Sequence, residues 1–190
     1  MEKSKPILLT GCTASGKSLL AMELASLRPS LIINADALQV YKCWNVLSAR
    51  PSLQDLNEYN HVLYGHISCE KNYDVAAWLA ELKAQLDYAK TNSLRPIIVG
   101  GTGLYFTLLT NGISRIPSIS SVTRKKSNEL LQTDPEKLLA DLKNFDFETV
   151  KNIDKLNFSR IQRAWEVLEE TGEGITHWQK KVLPPILPLN

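Results

Sequence analysis

A glycine-rich segment near the start of the chain has the residue types and spacing of a phosphate-binding loop. Gly11 to Ser18 read GCTASGKS, which matches the pattern G-x-x-x-x-G-K-[ST]. Glycines let main-chain N–H groups turn towards an anion, and a helix that begins behind them adds the positive end of its dipole. Lys17 supplies a mobile positive charge, and the hydroxyl of Ser18 can bind Mg²⁺. We therefore expect a diphosphate or triphosphate to bind these residues: Gly11, Cys12, Thr13, Ala14, Ser15, Gly16, Lys17 and Ser18.

The loop alone does not decide whether the phosphates are transferred, hydrolysed or released as a leaving group. A small-molecule kinase would use it to hold ATP with Mg²⁺. A motor or switch nucleotide hydrolase normally has a second strand that ends in an aspartate. Here the apolar run Ile97–Val99 leads instead into Gly100–Gly103, which contains no acid. The sequence therefore argues against a nucleotide hydrolase.

A carboxylate follows another short apolar run. The run Leu31–Ile33 is followed directly by Asn34, Ala35 and Asp36. Because buried parallel strands read as short apolar runs, Asp36 is expected at a strand end, beside the loop. A carboxylate there could accept a proton from a reacting group.

The elements that position these residues alternate along the chain. We predict strands at Ile7–Leu9, Leu31–Ile33 and Ile97–Val99, and an amphipathic helix over Val75–Ala89. Strands separated by helices imply right-handed crossovers and a parallel α/β sheet. From Ser121 to Gly172 the pattern is helical, with starts at Asp134–Pro135 and Asn157. We predict an α/β core over 1–112, a helical insertion over 113–156, and a return helix with the start of further core over 157–190.

Composition sets the class of protein. The chain has 190 residues, of which 44% are hydrophobic and 22% charged, so it can bury a core and is not disordered. The net charge of +2 restricts nucleic-acid contact to a local patch. Three cysteines, Cys12, Cys43 and Cys69, lack metal-ligand spacing, and we expect free thiols in a reducing compartment. No run reaches membrane-span length, so we expect a cytoplasmic protein without a membrane partner.

Five blocks of the sequence, in order, resemble the tRNA dimethylallyltransferases, the isopentenyl transferases of tRNA. The resemblance covers nearly the whole chain and is much more specific than the phosphate loop alone. The blocks are GCTASGKS at Gly11–Ser18, ADALQVYK at Ala35–Lys42, SARPS at Ser48–Ser52, VGGTGLYF at Val99–Phe106 and RIQRAWEVLEETG at Arg160–Gly172.

The resemblance implies a P-loop-type parallel sheet flanked by helices, with a small inserted helical lobe that helps to hold the anticodon stem-loop. It implies transfer of a dimethylallyl group from dimethylallyl diphosphate to N6 of the adenosine next to the anticodon in tRNA. The loop would grip the pyrophosphate rather than ATP, with Mg²⁺ as cofactor bound by Ser18. The partners would be tRNA and dimethylallyl diphosphate, and we expect a monomer.

The resemblance also assigns roles to individual residues. It makes Asp36 the general base and Thr102 a second catalytic residue near the reacting groups, and it places Gln39 in the segment that recognises the target base. The residues that it assigns to tRNA binding are Asp36, Ala37, Leu38, Gln39, Thr102, Arg124, Ser159, Arg160, Ile161, Gln162 and Arg163. Arg160 and Arg163 are three apart on one predicted helix, so they share a face.

Two of the chain's departures from the family bear directly on its function. Ala37 stands where the family usually has a serine, which removes a hydroxyl from the base-recognition segment. Family members also run further, and Pro185–Leu189 resemble the beginning of their next strand, so we expect this chain to stop inside the catalytic domain. Two alternatives therefore stay open: a small-molecule P-loop kinase, and a catalytically inactive, truncated RNA-binding remnant.

Overall fold

A computed structural model describes residues 5–44 and 46–189 of the chain. The chain divides into two compact units. The first unit runs to Asn111 and takes in the chain again from Pro185, and the second is Gly112–Pro184.

The first unit is built on a parallel sheet. Within the described residues its strands lie in the order β1-β4-β2-β3, and every pair is parallel. The strands are β1 (Ile7–Thr10), β2 (Ser30–Asn34), β3 (His61–Val62) and β4 (Arg95–Gly100). The three predicted strands are present, and the predicted α/β fold class is confirmed. The two-residue strand β3 was not predicted, because it is too short to give a periodic pattern.

A helix follows each strand of this unit. Helices α1 (Lys17–Ser26), α2 (Leu53–Glu58) and α3 (Val75–Thr91) connect successive strands, and α4 (Gly103–Asn111) follows β4. Helix α3 begins where predicted, because the Asp74 side chain accepts a hydrogen bond from the amide of Ala77 at 2.9 Å. Both α1 and α3 pack against β2 and β4.

The two central strands carry the core of the first unit. Ile32, Ile97 and Val99 pack with Ala21 of α1. The alternate residues Ile33 and Ile98 point to the opposite face of the sheet and are fully buried too. Burial on both faces explains why these strands read as continuous apolar runs rather than as an alternation.

The second unit is helical. Its elements are α5 (Ser121–Thr133), α6 (Pro135–Phe145), α7 (Phe147–Asn152), α8 (Phe158–Thr171) and α9 (Ile175–Gln179). The predicted helix starts are confirmed: Asp134 caps α6, with Pro135 at its first position, and Asn157 caps α8. The core of this unit comprises Leu138, Leu142, Val150, Ile161, Ala164 and Trp165.

The second unit differs from the predicted division of the chain. Helix α8, predicted as a return helix outside the 113–156 lobe, packs against α5 and α6. The apolar positions of α8 face those helices, and this explains why 157–184 belong with them. The tail 185–189 forms no strand; the amide of Leu187 donates to the carbonyl of Leu109 at 3.1 Å. Within 5–44 and 46–189, no helix is long and apolar enough to cross a bilayer.

Candidate active site

The phosphate-binding loop joins β1 to α1, as its sequence requires. Gly16 precedes the helix with a φ of 82°, a left-handed conformation that glycine adopts without strain. The carbonyl of Gly16 accepts from the amide of Leu20 at 3.0 Å, so the first helical turn closes directly behind the loop. The free N–H groups of that turn and the positive end of the helix dipole lie at the loop, where an anion is stabilised.

Lys17 lies over this loop. Its ammonium group donates hydrogen bonds to the carbonyl of Cys12 and, at 3.3 Å, to the hydroxyl of Ser15. These partners hold the positive charge beside the loop. The arrangement can bind the oxygens of a diphosphate group.

Asp36 lies in a turn just beyond β2. Its Oδ1 atom accepts hydrogen bonds from the amides of Leu38 at 2.9 Å and Gln39 at 3.4 Å. Its Oδ2 atom faces Gly101, where a Cβ atom would lie 3.4 Å from that oxygen and 3.6 Å from the carbonyl of Gly11. The ends of β1, β2 and β4 therefore meet around this carboxylate.

A cavity of about 140 Å³ connects Asp36 with the phosphate-binding loop. It lies outside the carboxyl ends of parallel strands, where α/β proteins bind ligands. Its lining residues are Thr13, Ala14, Ser15, Gly16, Lys17, Ser18, Asp36, Gln39, Ser48, Ala49, Tyr64, Val99, Gly100 and Gly101. The volume is below the 300 Å³ or so typical of small-molecule sites, so it suits a phosphate group better than a whole substrate.

Thr102 and Ala37, both predicted site residues, bind each other beside this cavity. The hydroxyl oxygen of Thr102 accepts a hydrogen bond of 2.9 Å from the amide of Ala37. Thr102 itself is not among the residues that line the cavity. Leu38 points outward, with 58% of its surface exposed.

Gln39 contacts the chain that follows it. Its Nε2 atom donates to the carbonyls of Ser48 at 2.7 Å and Ala49 at 3.3 Å. Both N–H groups of the amide are thus used within the protein. The carbonyl oxygen of the Gln39 side chain is left to recognise a base, and this atom can only accept hydrogen bonds.

Tyr64 is a lining residue that the sequence analysis missed. Burial, together with the negative charge of Asp36, raises the pKa of its hydroxyl well above the ordinary value, so the group stays protonated. The signal available in the sequence was its place just after the short segment His61–Val62, which forms β3. Residues that follow a parallel strand lie on the ligand-binding side of the sheet.

Two of the three cysteines are not free thiols, which corrects the prediction. Cys43 and Cys69 form a disulfide with their Cα atoms 6.0 Å apart. The chain segments that carry them run parallel: Tyr41 bridges Ile67, and the amide of Lys42 donates to the carbonyl of Ile67 at 2.9 Å. Spacing along the sequence could not reveal this proximity. Cys12 is the free cysteine of the described chain and is exposed.

The second unit has a larger cavity, of about 470 Å³, formed by α7, α8, α9 and the segment between α7 and α8. Arg160 and Arg163 both line it, as their predicted common face requires, and Ser159 lies beside them. Asp154 contributes an opposing negative charge. Arg160 and Arg163 bring two positive charges to the lining of this cavity, and the guanidinium group of Arg163 is also paired with the carboxylate of Glu166 at 3.8 Å.

The other residues of this unit that were predicted to bind tRNA do not line this cavity. Ile161 is fully buried in the core, so its side chain does not reach a ligand, contrary to the prediction. Gln162 donates through Nε2 to Ser127 at 3.0 Å and to Asn128 at 2.7 Å on α5. Arg124 is exposed on α5, which contributes none of the described residues that line the cavity.

A metal at the first cavity would have few protein ligands. No group of three or more His, Cys, Asp or Glu residues that could hold a metal ion occurs in the described parts of the chain. Ser18 lines the cavity beside Lys17. Mg²⁺ commonly takes one or two protein ligands, with phosphate oxygens and water completing the shell, so this donor set fits Mg²⁺ bound together with a diphosphate.

The parallel sheet and the loop between β1 and α1 define a P-loop-type α/β protein. Residues 39–188 match the family model described as IPP transferase, and the chain belongs to this family. The predicted resemblance is confirmed.

Individual relatives of the chain agree with this family assignment. The tRNA dimethylallyltransferase of Cereibacter sphaeroides strain KD131 is 45% identical over 100% of this chain, and that of Dinoroseobacter shibae is 46% identical over 99%. The chain covers 59% and 62% of these two proteins, about three fifths of their length. A solved eukaryotic dimethylallyltransferase acting on tRNA matches 97% of the chain and is itself covered over 47%, with 26% identity and a TM-score of 0.80.

Proposed function

We propose that this chain carries the catalytic site of a tRNA dimethylallyltransferase. The reaction joins C1 of dimethylallyl diphosphate to N6 of the adenosine next to the anticodon. The C1–O bond breaks, pyrophosphate leaves with the bonding electrons, and N6 loses one proton. The observation that carries the proposal is that the phosphate-binding loop and the Asp36 carboxylate line the same cavity.

Each residue has a defined task in this proposal. The loop amides and Lys17 bind the diphosphate and stabilise the negative charge that develops as it leaves. Asp36 accepts the proton from N6, because the adenine amine becomes acidic as its bond to carbon forms. Ser18 would hold Mg²⁺ on the diphosphate, where the ion neutralises part of the charge of the leaving group.

The helical unit supplies RNA contacts in the proposal. Arg160 and Arg163 bind backbone phosphates of the anticodon stem-loop, while Gln162 fixes α8 to α5. Phosphate contacts of this kind position an RNA without reading its sequence. We assign the protein to the cytoplasm and to a monomeric state, since the proposed substrate is a cytoplasmic RNA and the residues that line the proposed catalytic cavity all lie in one chain.

A transfer assay tests the function. The chain is incubated with an anticodon stem-loop RNA, dimethylallyl diphosphate and Mg²⁺, and the digested nucleosides are analysed by mass spectrometry. We expect dimethylallyl-adenosine from the wild type and none from Lys17→Ala or Asp36→Asn. Lys83→Ala and Asp87→Asn remove matched charges from exposed positions on α3 and should leave the yield unchanged.

Other outcomes would point to the alternatives. Full activity of Asp36→Asn would overturn the assignment of the base. Tight ATP binding that dimethylallyl diphosphate does not displace would indicate a kinase. Salt-dependent binding of the RNA without any transfer at saturating dimethylallyl diphosphate would indicate an inactive RNA-binding protein.

A further inference from the structure

A buried amide side chain stands at the end of β2, among apolar neighbours. Asn34 is 0% exposed, and the residues before it, Leu31–Ile33, are buried and apolar. An amide in such a place is unfavourable unless its hydrogen bonds are made. A strand that only needed packing would be better served there by an apolar residue.

The bonds of the Asn34 side chain are directed at Asp36. Its Oδ1 atom accepts from the main-chain amide of Asp36 at 3.0 Å, and its Nδ2 atom donates to the carbonyl of Asp36 at 3.0 Å. Both main-chain polar groups of Asp36 are therefore held by one rigid, buried group. Asn34 is itself held in place, because the indole N–H of Trp78 donates a hydrogen bond of 2.8 Å to the main-chain carbonyl of Asn34.

The second N–H of the same amide holds the residue before Tyr64. Nδ2 also donates to the carbonyl of Leu63 at 3.0 Å. Leu63 is a non-glycine residue with a φ of 64°, a left-handed conformation that persists only where surrounding contacts fix it. The bond to Asn34 is such a contact, and Tyr64 follows directly in the cavity wall.

From these contacts we infer that Asn34 is a positioning residue: it fixes the Asp36 turn and the Tyr64 wall of the cavity relative to each other. The inference rests on the proposed function for its catalytic consequence. Asn34 does not line the cavity and touches no reacting atom. Its effect passes through the main chain of Asp36, whose carboxylate must lie close to N6 for proton transfer.

The inference predicts a specific kinetic pattern in Asn34→Ala. The phosphate-binding loop makes none of its described hydrogen bonds with Asn34, so KM for dimethylallyl diphosphate should stay within about twofold of the wild type. Displacing a reacting group by a fraction of an ångström to 1 Å can cost up to about a hundredfold in rate, and we expect kcat to fall about tenfold or more. Asn34→Ser keeps a shorter polar group and should recover part of the loss.

Ser30→Ala is the matched control. Ser30 lies on the same strand and is also buried, but its hydroxyl donates to the carbonyl of Arg28, away from Asp36. This variant removes a partly buried side-chain hydrogen bond from β2 without touching the turn. It should leave both kcat and KM near their wild-type values.

A second measurement needs no catalysis. Hydrogen exchange of the amides of Ala37, Leu38 and Gln39 reports the turn, because they donate to Thr102 and Asp36. The amide of Ile98 in the central strand β4 serves as the reference for global stability. In Asn34→Ala the turn amides should lose protection relative to Ile98, and in Ser30→Ala they should not.

The two claims can fail separately. If the wild type transfers no dimethylallyl group, the proposed function fails, and hydrogen exchange still decides the positioning claim. Unchanged turn protection in Asn34→Ala would overturn the inference, as would equal losses of kcat in Asn34→Ala and Ser30→Ala. If Asn34→Ala does not fold, Asn34→Ser is compared with Ser30→Ala on the same two measurements.

Discussion

Thr102 and Ala37, which are 65 residues apart, are joined by a hydrogen bond of 2.9 Å from the main-chain amide of Ala37 to the threonine hydroxyl oxygen. The bond ties the turn after β2 to the turn after β4. It uses the acceptor side of the hydroxyl and leaves the hydroxyl hydrogen to point elsewhere. Thr102 thus holds the Asp36 turn, in addition to the catalytic role that the family resemblance implies for it.

Thr102→Val tests the structural part of that role. Valine has nearly the same shape but no acceptor, so the half-buried amide of Ala37 loses its partner, at a cost of about 1–3 kcal/mol. We expect that decrease in the free energy of unfolding from urea titration. Thr102→Ser keeps the oxygen and should stay close to the wild type. Equal stability of the valine and serine variants would contradict the proposed role of the hydrogen bond.

Gly100 and Gly103 should respond oppositely to alanine. A Cβ atom at Gly100 would lie 2.1 Å from the carbonyl oxygen of Ala35, whereas nothing lies within 4 Å of one at Gly103. Gly100→Ala must push the ends of β2 and β4 apart, and we expect a loss of about 1–3 kcal/mol or more in unfolding free energy.

Gly103→Ala is the control, and it should leave stability unchanged or raise it by up to about 1 kcal/mol, because Gly103 begins α4. Urea unfolding of both variants provides the measurement. A Gly100→Ala protein as stable as Gly103→Ala would show that the two strand ends are not in close contact.

The parts of the site that are local in sequence could be predicted. The phosphate-binding loop needs only glycines, a lysine and a following helix, and the caps at Asp134 and Asn157 are set by short side chains next to a helix start. The burial of Ile161 also had a local signal, since Ile161, Ala164 and Trp165 recur at helical spacing on one face. The family resemblance assigned every residue of Ser159–Arg163 to RNA binding, although Ile161 lies on this apolar face.

The rest of the site depends on tertiary contacts between distant segments. Asn34 reaches Leu63, and Gln39 reaches the carbonyl of Ser48, through hydrogen bonds that no periodic pattern encodes. Tyr64 reaches the cavity through a left-handed Leu63, and sequence propensity argues against that conformation. These residues become functional candidates only once the strands have been paired.

The disulfide makes a prediction about thiol content. In the oxidised, native protein a thiol reagent should modify one cysteine, Cys12, and after reduction under denaturing conditions it should modify three. Cys69→Ser should destabilise the oxidised protein by about 3 kcal/mol, because the bond closes a loop with a sequence separation of 26. Cys12→Ser is the control and should not change stability. Three reactive thiols in protein purified without reductant would indicate that the bond does not form in the cell.

Glu170 links α8 to the start of α5. Its carboxylate accepts hydrogen bonds from the amide of Ser120 at 3.2 Å, from the hydroxyl of Ser120 at 2.9 Å and from the hydroxyl of Thr123 at 2.6 Å. The bond from Thr123 and those from Ser120 lower the pKa of Glu170 below its ordinary value of 4.5. The folded state therefore favours the ionised carboxylate.

A depressed pKa makes the contribution of Glu170 to stability depend on pH. The contribution is complete above pH 4.5, where the unfolded chain is also ionised, and it is lost as the pH falls through the lower value of the folded state. Glu170→Gln has no carboxylate at this position and therefore lacks this pH-dependent stabilisation at every pH. The difference in unfolding free energy between wild type and variant should be largest near pH 7 and should shrink towards about pH 3. Glu129→Gln removes an exposed carboxylate of α5 that pairs with Lys125 at 4.0 Å, and it serves as the matched control. A gap between wild type and Glu170→Gln that stays constant over this range would mean that the carboxylate is not selectively stabilised in the folded state.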